Sequence, residues 1–157
     1  MEIKYLKKLK DNPARKGFVN KGLSLIDIQE LEVTFNDGNP FPVVLKEFLY
    51  LAGGYCCYVQ FNGGNGGINS IIENHNELDE DLLEFYNVVI DRPHFYLQVE
   101  SIDYAIFMFL DEGDNPIINY ILQEVDPTPS NYFRRASTFP EFINGRIQNV
   151  LDGYSSF

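Results

Sequence analysis

Between Ser24 and Gly54 the chain encodes two short amphipathic helices, a proline-marked turn between them and a glycine stop. Any fold must bury both apolar faces of that pair. Ser24 with Asp27 three residues later is a helix-start signature, in which the hydroxyl caps an orphan amide and the carboxylate favours the positive end of the helix. Ile28, Leu31 and Phe35 follow at three- and four-residue steps and line one face. Residues 36–40, Asn-Asp-Gly-Asn-Pro, end that helix. After Phe41-Pro42 a second face is built from Val44, Leu45, Phe48, Leu49 and Ala52. Gly53-Gly54 then offers the left-handed conformation that closes helices.

The flanking segments fill in an α+β pattern. Ile3, Leu6 and Leu9 give residues 2–10 one apolar side before Asn12-Pro13 and Gly17 break it. Residues 55–61 are β-branched and aromatic, which predicts a strand, and residues 62–67 form a glycine-rich loop. A third helix is expected to open at Asn76 or Asp79 and to run through Leu78, Leu82 and Phe85. Its outer face carries Glu77, Glu80, Asp81 and Glu84. Strands are expected at 88–90, 95–99, 104–110 and 116–122, the last two joined by the turn-forming Asp111-Glu112-Gly113-Asp114-Asn115. Residues 126–130 read as a stiff proline loop. Thr138 and Glu141 make a capping box, with Pro140 in the first turn, where its missing amide proton costs nothing. Phe139, Phe142, Ile143, Ile147, Val150 and Leu151 give the closing helix its buried stripe, in which Gly145 is read as a point of close packing. No repeat or linker divides the chain, and 157 residues suit one domain, 1–157, with a basic segment over 1–21 and a core over 24–152.

Charge narrows the partners. The net charge is −11, but residues 1–21 hold seven basic groups against two acidic, and the remainder five basic against twenty-one acidic. So acidic a body repels phosphate backbones, which argues against nucleic acid, and attracts basic proteins. Cys56 and Cys57 are the only cysteines. As strand neighbours they would point to opposite faces, so a mutual disulfide is disfavoured, and two unbridged thiols fit a reducing compartment. The basic N-terminus is not followed by an apolar stretch, and no run reaches the roughly 18 apolar residues of a membrane span. The expected location is cytoplasmic.

No constellation of reactive groups stands out, and no catalytic, cofactor-binding or metal-binding residue is assigned. The glycine loop lacks the Gly-Lys-Ser/Thr ending of a phosphate cradle, and the next segment does not read as a helix beginning at the glycines. His75 precedes Asp79, Glu80 and Asp81, but a metal needs several converging ligands, and the run reads as a solvated helix face. His94 lies nineteen residues away with no matching ligand pair. A Tyr/Val-rich strand does not stabilise a thiolate at Cys56 or Cys57. Asp111, Glu112 and Asp114 lack a partner base and the alternating pattern of a calcium loop, and read as a hairpin connection.

Three blocks, in order, resemble the SUKH superfamily of cell-wall-assembly regulators and bacterial immunity proteins. The first is Leu31-Glu32, Phe35, Phe41-Pro42, Phe48-Leu49 and Gly53-Gly54. The second is the strand, turn, strand unit around Asp111-Glu112-Gly113-Asp114-Asn115-Pro116, and the third is Ser137-Thr138-Phe139-Pro140-Glu141-Phe142-Ile143. They span about residues 24–150. Phe41 stands where Leu is usual, Ala52 replaces a common Asn, and the Trp of some members is missing. The resemblance implies a largely antiparallel sheet of about five or six strands with packed helices. It also implies a non-catalytic protein that neutralises a cognate toxin, often a nuclease, by direct binding, or else a regulatory scaffold. An enzyme or small-ligand protein is the remaining alternative. The expected toxin-facing groups are Glu77, Glu80, Asp81 and Glu84 together with Asp111, Glu112 and Asp114, with Tyr55, Tyr58 or Tyr132 as aromatic anchors.

Overall fold

The computed structural model describes residues 1–61, 67–101, 104–122 and 133–154. The elements run α1 (Lys7–Asp11), β1 (Ala14–Arg15), β2 (Phe18–Val19), α2 (Leu25–Asn36), α3 (Val43–Ala52), α4 (Gly67–Tyr86), β3 (His94–Ser101), β4 (Tyr104–Phe109), β5 (Ile117–Leu122), β6 (Phe133–Thr138) and α5 (Phe139–Leu151). The fold is α+β. Strands β3-β4-β5-β6 form an antiparallel meander in sequence order, while β1 and β2 make a separate two-stranded ribbon. Its turn puts Lys16 and Gly17 at φ 46° and 86°, the paired positive values that tight hairpins require.

Both helix-start signatures form. Ser24 N–H donates to Asp27 Oδ2 at 3.0 Å and Asp27 N–H donates to Ser24 Oγ at 3.1 Å. The Glu141 carboxylate accepts from the amide and the hydroxyl of Thr138, each at 2.9 Å. The turn between α2 and α3 is fastened by Glu32, which accepts the Phe41 N–H at 2.8 Å and pairs with Lys46 at 3.5 Å. The N-terminus of α3 has no side-chain cap. Its Val44 amide donates instead to the Asp114 carbonyl at 3.1 Å, so the β4–β5 turn serves as the cap.

Strands β3, β4 and β5 carry buried residues on both faces of the meander. Phe95, Leu97, Ile106, Met108 and Ile118 join the main core with α1, α2, α3 and α5, centred on Phe48, whose ring meets Phe61 at 4.9 Å and Phe139 at 5.1 Å. Tyr96, Ala105, Phe107 and Ile121 point the other way, as strand alternation requires, and form a second cluster with Leu78, Leu82 and Val88. Helix α4 contributes to both: Ile71 lies in the main core, Leu78 and Leu82 in the second cluster. It therefore crosses the free edge of β3.

Five expectations need correction. Residues 55–61 are buried but are not a strand: apart from a bridge between Lys21 and Tyr55 they form no ladder. Their amides are taken up by the preceding segment, with Cys57 N–H on Asn20 Oδ1 and Tyr55 N–H on the Lys21 carbonyl. Residues 88–90 are irregular and follow the closure of α4, where Asn87 at φ 53° sends its N–H to Leu83 and Val88 sends its own to Leu82. The left-handed Asn87 and its bond to Leu83 make an αL closure, with Val88 packed beside Leu82 in the second cluster. Helix α4 itself begins at Gly67, so a helix does follow the glycines; the missing Gly-Lys-Ser/Thr ending still sets this loop apart from a phosphate cradle. Gly53 is right-handed at φ −68°, and Gly53 and Gly54 are explained by close approach, since a Cβ on Gly53 would lie 2.6 Å from the Leu49 carbonyl oxygen. Finally, the segment 1–21 contributes to the core, in which Ile3, Leu6 and Leu9 are buried, while residues 13–19 are largely exposed. The six strands divide into four and two; residues 126–130 lie outside the described residues.

Gly145 is exposed, with open space where a Cβ would stand, so it does not mark close packing. Gly145→Ala is expected to raise the unfolding free energy by about 0.5–1 kcal/mol, read as a higher urea midpoint with an unchanged slope.

Candidate functional site

Where α4 crosses β3, two histidines and an aspartate converge. Positions 75 and 79 lie one helical turn apart on α4, and positions 94 and 96 share one face of β3, so the crossing brings four polar side chains together. His75 and His94 are both buried, with side chains 6% and 7% exposed, while Asp79 is 40% exposed. The His75 ring stacks on Phe35 at 4.2 Å and lies 4.7 Å from the His94 ring and 4.7 Å from Tyr96.

Hydrogen bonding fixes the tautomers. A carbonyl can only accept, so the ring nitrogen facing it must carry hydrogen. His75 Nε2 faces the His94 carbonyl at 3.3 Å, and His94 Nδ1 faces the Arg92 carbonyl at 2.9 Å. In the neutral rings the other nitrogens are lone pairs, and both are turned to Asp79. His94 Nε2 is 3.1 Å from Oδ1 and His75 Nδ1 is 3.4 Å from Oδ2. His75 Nδ1 is buried and has no hydrogen-bond partner. Tyr96 donates its hydroxyl to Asp79 Oδ1 at 2.7 Å.

Partial burial pushes the Asp79 carboxyl upward, but hydrogen bonds from His75 and His94, in rings that carry a hydrogen on both nitrogens, and from the Tyr96 hydroxyl outweigh it and hold the group well below the ordinary carboxylate range. The Tyr96 phenol is raised, first by burial and then by the Asp79 charge it faces. Asp79 thus stays an anion and Tyr96 a donor. The cluster opens onto a cleft of about 490 Å³ lined also by Thr34, Asp37, Asn76, Asp91 and Arg92. Arg92 holds the entry to β3: its guanidinium lies 3.9 Å from the Phe109 ring centroid and forks onto Asp111. Together with Leu110 N–H on the Pro93 carbonyl at 2.8 Å, this fixes the backbone that carries His94.

The acidic residues singled out from sequence fall into two kinds. Glu77, Glu80 and Glu84 are exposed on α4, and Asp81 is partly exposed beside them. Asp111 and Glu112 are bound by Arg92, at 3.1 Å (Nε to Asp111 Oδ2) and 3.4 Å respectively. Those hydrogen bonds hold the exposed Asp111 carboxyl below its usual range. Asp114 is exposed. Of the aromatic anchors, Tyr58 is buried with its hydroxyl on the Ala14 carbonyl, Tyr55 packs against the core, and Tyr132 lies outside the described residues. Cys56 and Cys57 are buried free thiols. Burial pushes Cys56 up to about 11, so the folded protein is expected to show no rapid thiol reaction from this residue at pH 8, with full reactivity in denaturant.

Sequence reasoning did not pair His94 or Tyr96 with α4. The four-residue step from His75 to Asp79 on a single helix face would have paired those two, but no local signal ties His94 or Tyr96 to them. No family model, curated protein or solved structure matches the chain. Among the described residues no helix is long and apolar enough to cross a membrane.

Proposed function

We propose that this chain is a SUKH-like, non-catalytic immunity protein that binds and neutralises a basic protein toxin, such as a nuclease, in the cytoplasm. The observation that carries the reading is the outer face of α4. This twenty-residue helix holds six carboxylates and no lysine or arginine. Glu73, Glu77, Glu80 and Glu84 recur at four- and three-residue steps and are all exposed, so they form one stripe. Like charges at that spacing oppose each other, and acids near the C-terminal end oppose the helix dipole. A basic surface docked against the stripe would relieve both costs. Leu83 and Phe85, 51% and 65% exposed, flank the stripe and supply apolar contact area of the kind that carries binding energy.

The three blocks behind the resemblance also pack together, which supports the family reading. Phe48 of the first meets Phe139 of the third at 5.1 Å, and the turn of the second caps α3 through Asp114. The Asp111 and Glu112 carboxylates, already engaged by Arg92, become a secondary part of the surface.

A search of the neighbouring genes for a toxin domain, and co-expression of this chain with it, test the proposal. The expected result is rescued growth and a complex that survives gel filtration; persistent arrest despite soluble expression of both chains sinks it. Glu77→Lys, Glu80→Lys and Glu84→Lys combined are expected to slow association at least about tenfold at low salt, with a smaller effect at high salt. Association rates that do not respond would remove α4 from the interface.

A further inference from the structure

We propose that His75 Nδ1, His94 Nε2 and the Asp79 carboxylate bind a divalent first-row transition-metal ion, Zn²⁺ in the first instance, at the crossing of α4 over β3. The three side chains offer ligand atoms that all lie within 4.8 Å of one another. His94 Nε2 lies 3.1 Å from Asp79 Oδ1 and His75 Nδ1 lies 3.4 Å from Oδ2, each close to the roughly 3.3–3.4 Å between two ligand atoms on a tetrahedral ion with bonds of about 2.0–2.1 Å, so a small turn of the carboxylate would present one oxygen to an ion held by both rings. Two imidazoles and one carboxylate are a donor set that suits zinc and its neighbours, whereas calcium and magnesium favour all-oxygen shells.

The surroundings match what metal-binding histidines require. Such histidines donate their second ring N–H to a carbonyl or carboxylate, which sets the tautomer and the ring angle. Here the Arg92 and His94 carbonyls accept those hydrogens, and Tyr96 steadies Asp79 through its hydroxyl. An independent feature points the same way: His75 Nδ1 is buried without a hydrogen-bond partner and is aimed at the carboxylate. One dication would satisfy it and the His94 lone pair together. Three protein ligands leave one position for water or an outside donor atom, and the cluster opens onto the cleft beside Asp37 and Asp91. Bound there, the ion would cross-link α4 to the sheet edge.

The test uses the full chain purified without a histidine tag, stripped with a chelator and titrated with ZnCl₂ by calorimetry, with CoCl₂ as a spectroscopic probe. Stoichiometric Zn²⁺ uptake, a raised thermal midpoint and tetrahedral Co²⁺ bands are expected. Asp79→Asn and His94→Gln should each weaken Zn²⁺ binding by more than about a hundredfold, and Tyr96→Phe by about 10–100-fold. Glu80→Gln, on the exposed stripe, should bind as the parent does. Circular dichroism checks folding; if His94→Gln does not fold, the partly exposed Asp79 site decides. No stoichiometric uptake, or uptake undiminished in Asp79→Asn, overturns the proposal and leaves a proton-bridged His–Asp cluster. Toxin neutralisation is read separately, so either proposal can fail alone.

Discussion

Glu47→Ala is expected to lower the unfolding free energy by about 3–5 kcal/mol, a large share of the roughly 5–15 kcal/mol that holds a domain together. Glu47 is fully buried in α3, yet among the described residues no lysine or arginine forms an ion pair with it. Its carboxylate instead accepts the backbone amides leading into α1: Lys4 at 2.5 Å, Tyr5 at 2.9 Å and Leu6 at 2.8 Å. Truncation strands the buried Leu6 amide, at about 1–3 kcal/mol, and takes the acceptor from the part-buried Lys4 and Tyr5 amides as well. Glu47→Gln keeps one acceptor oxygen and should cost about 2 kcal/mol. Urea titrations of the three proteins give the ranking. A loss below about 1 kcal/mol for alanine would mean that something other than Glu47 anchors the N-terminal segment.

Phe48→Ala is expected to cost about 3–5 kcal/mol by the neighbouring but different route of an unfilled cavity. The Phe48 ring is 1% exposed and packs edge-on against Phe61 and Phe139. It thereby joins α3, the irregular segment after it and the start of α5. None of those pieces can close on the space without moving the others, so little relaxation is available. Phe48→Leu refills most of the volume and should cost about 1–2 kcal/mol. Equal losses for the two variants would show that the ring's neighbours collapse freely, contrary to this packing.

What could be read in advance was whatever short-range chemistry decides. The capped starts at Ser24 and Thr138, the apolar faces of α2, α3 and α5, and the β4–β5 hairpin all rest on residues within a few positions of one another. The misreadings share a different cause. Residues 55–61 carry strand-like side chains because they are buried, but their hydrogen bonds go to Asn20 and Lys21, more than thirty positions back. Helix α4 was expected to begin after its true first turns, because Gly67, Asn69 and Ser70 look like loop; packing of Ile71 in the main core overrides that preference. The late start left His75 outside the helix and hid its alignment with Asp79. Nothing local could then supply His94, which reaches the cluster through the pairing of β3 with β4 and the crossing of α4. Glu47 was equally silent, since a glutamate in a helix is ordinarily solvated and only the path of residues 4–6 buries it.

The way α4 lies over β3 also limits how this molecule can meet others. A free strand edge invites a passing chain to zip on through its main-chain groups, whatever its sequence, and that route leads to runaway fibrous assembly as readily as to useful complexes. Here the His94 carbonyl on that edge is already taken by His75, and the helix stands in the approach. Visitors from that side must negotiate with side chains, where selectivity resides, rather than with the indiscriminate backbone.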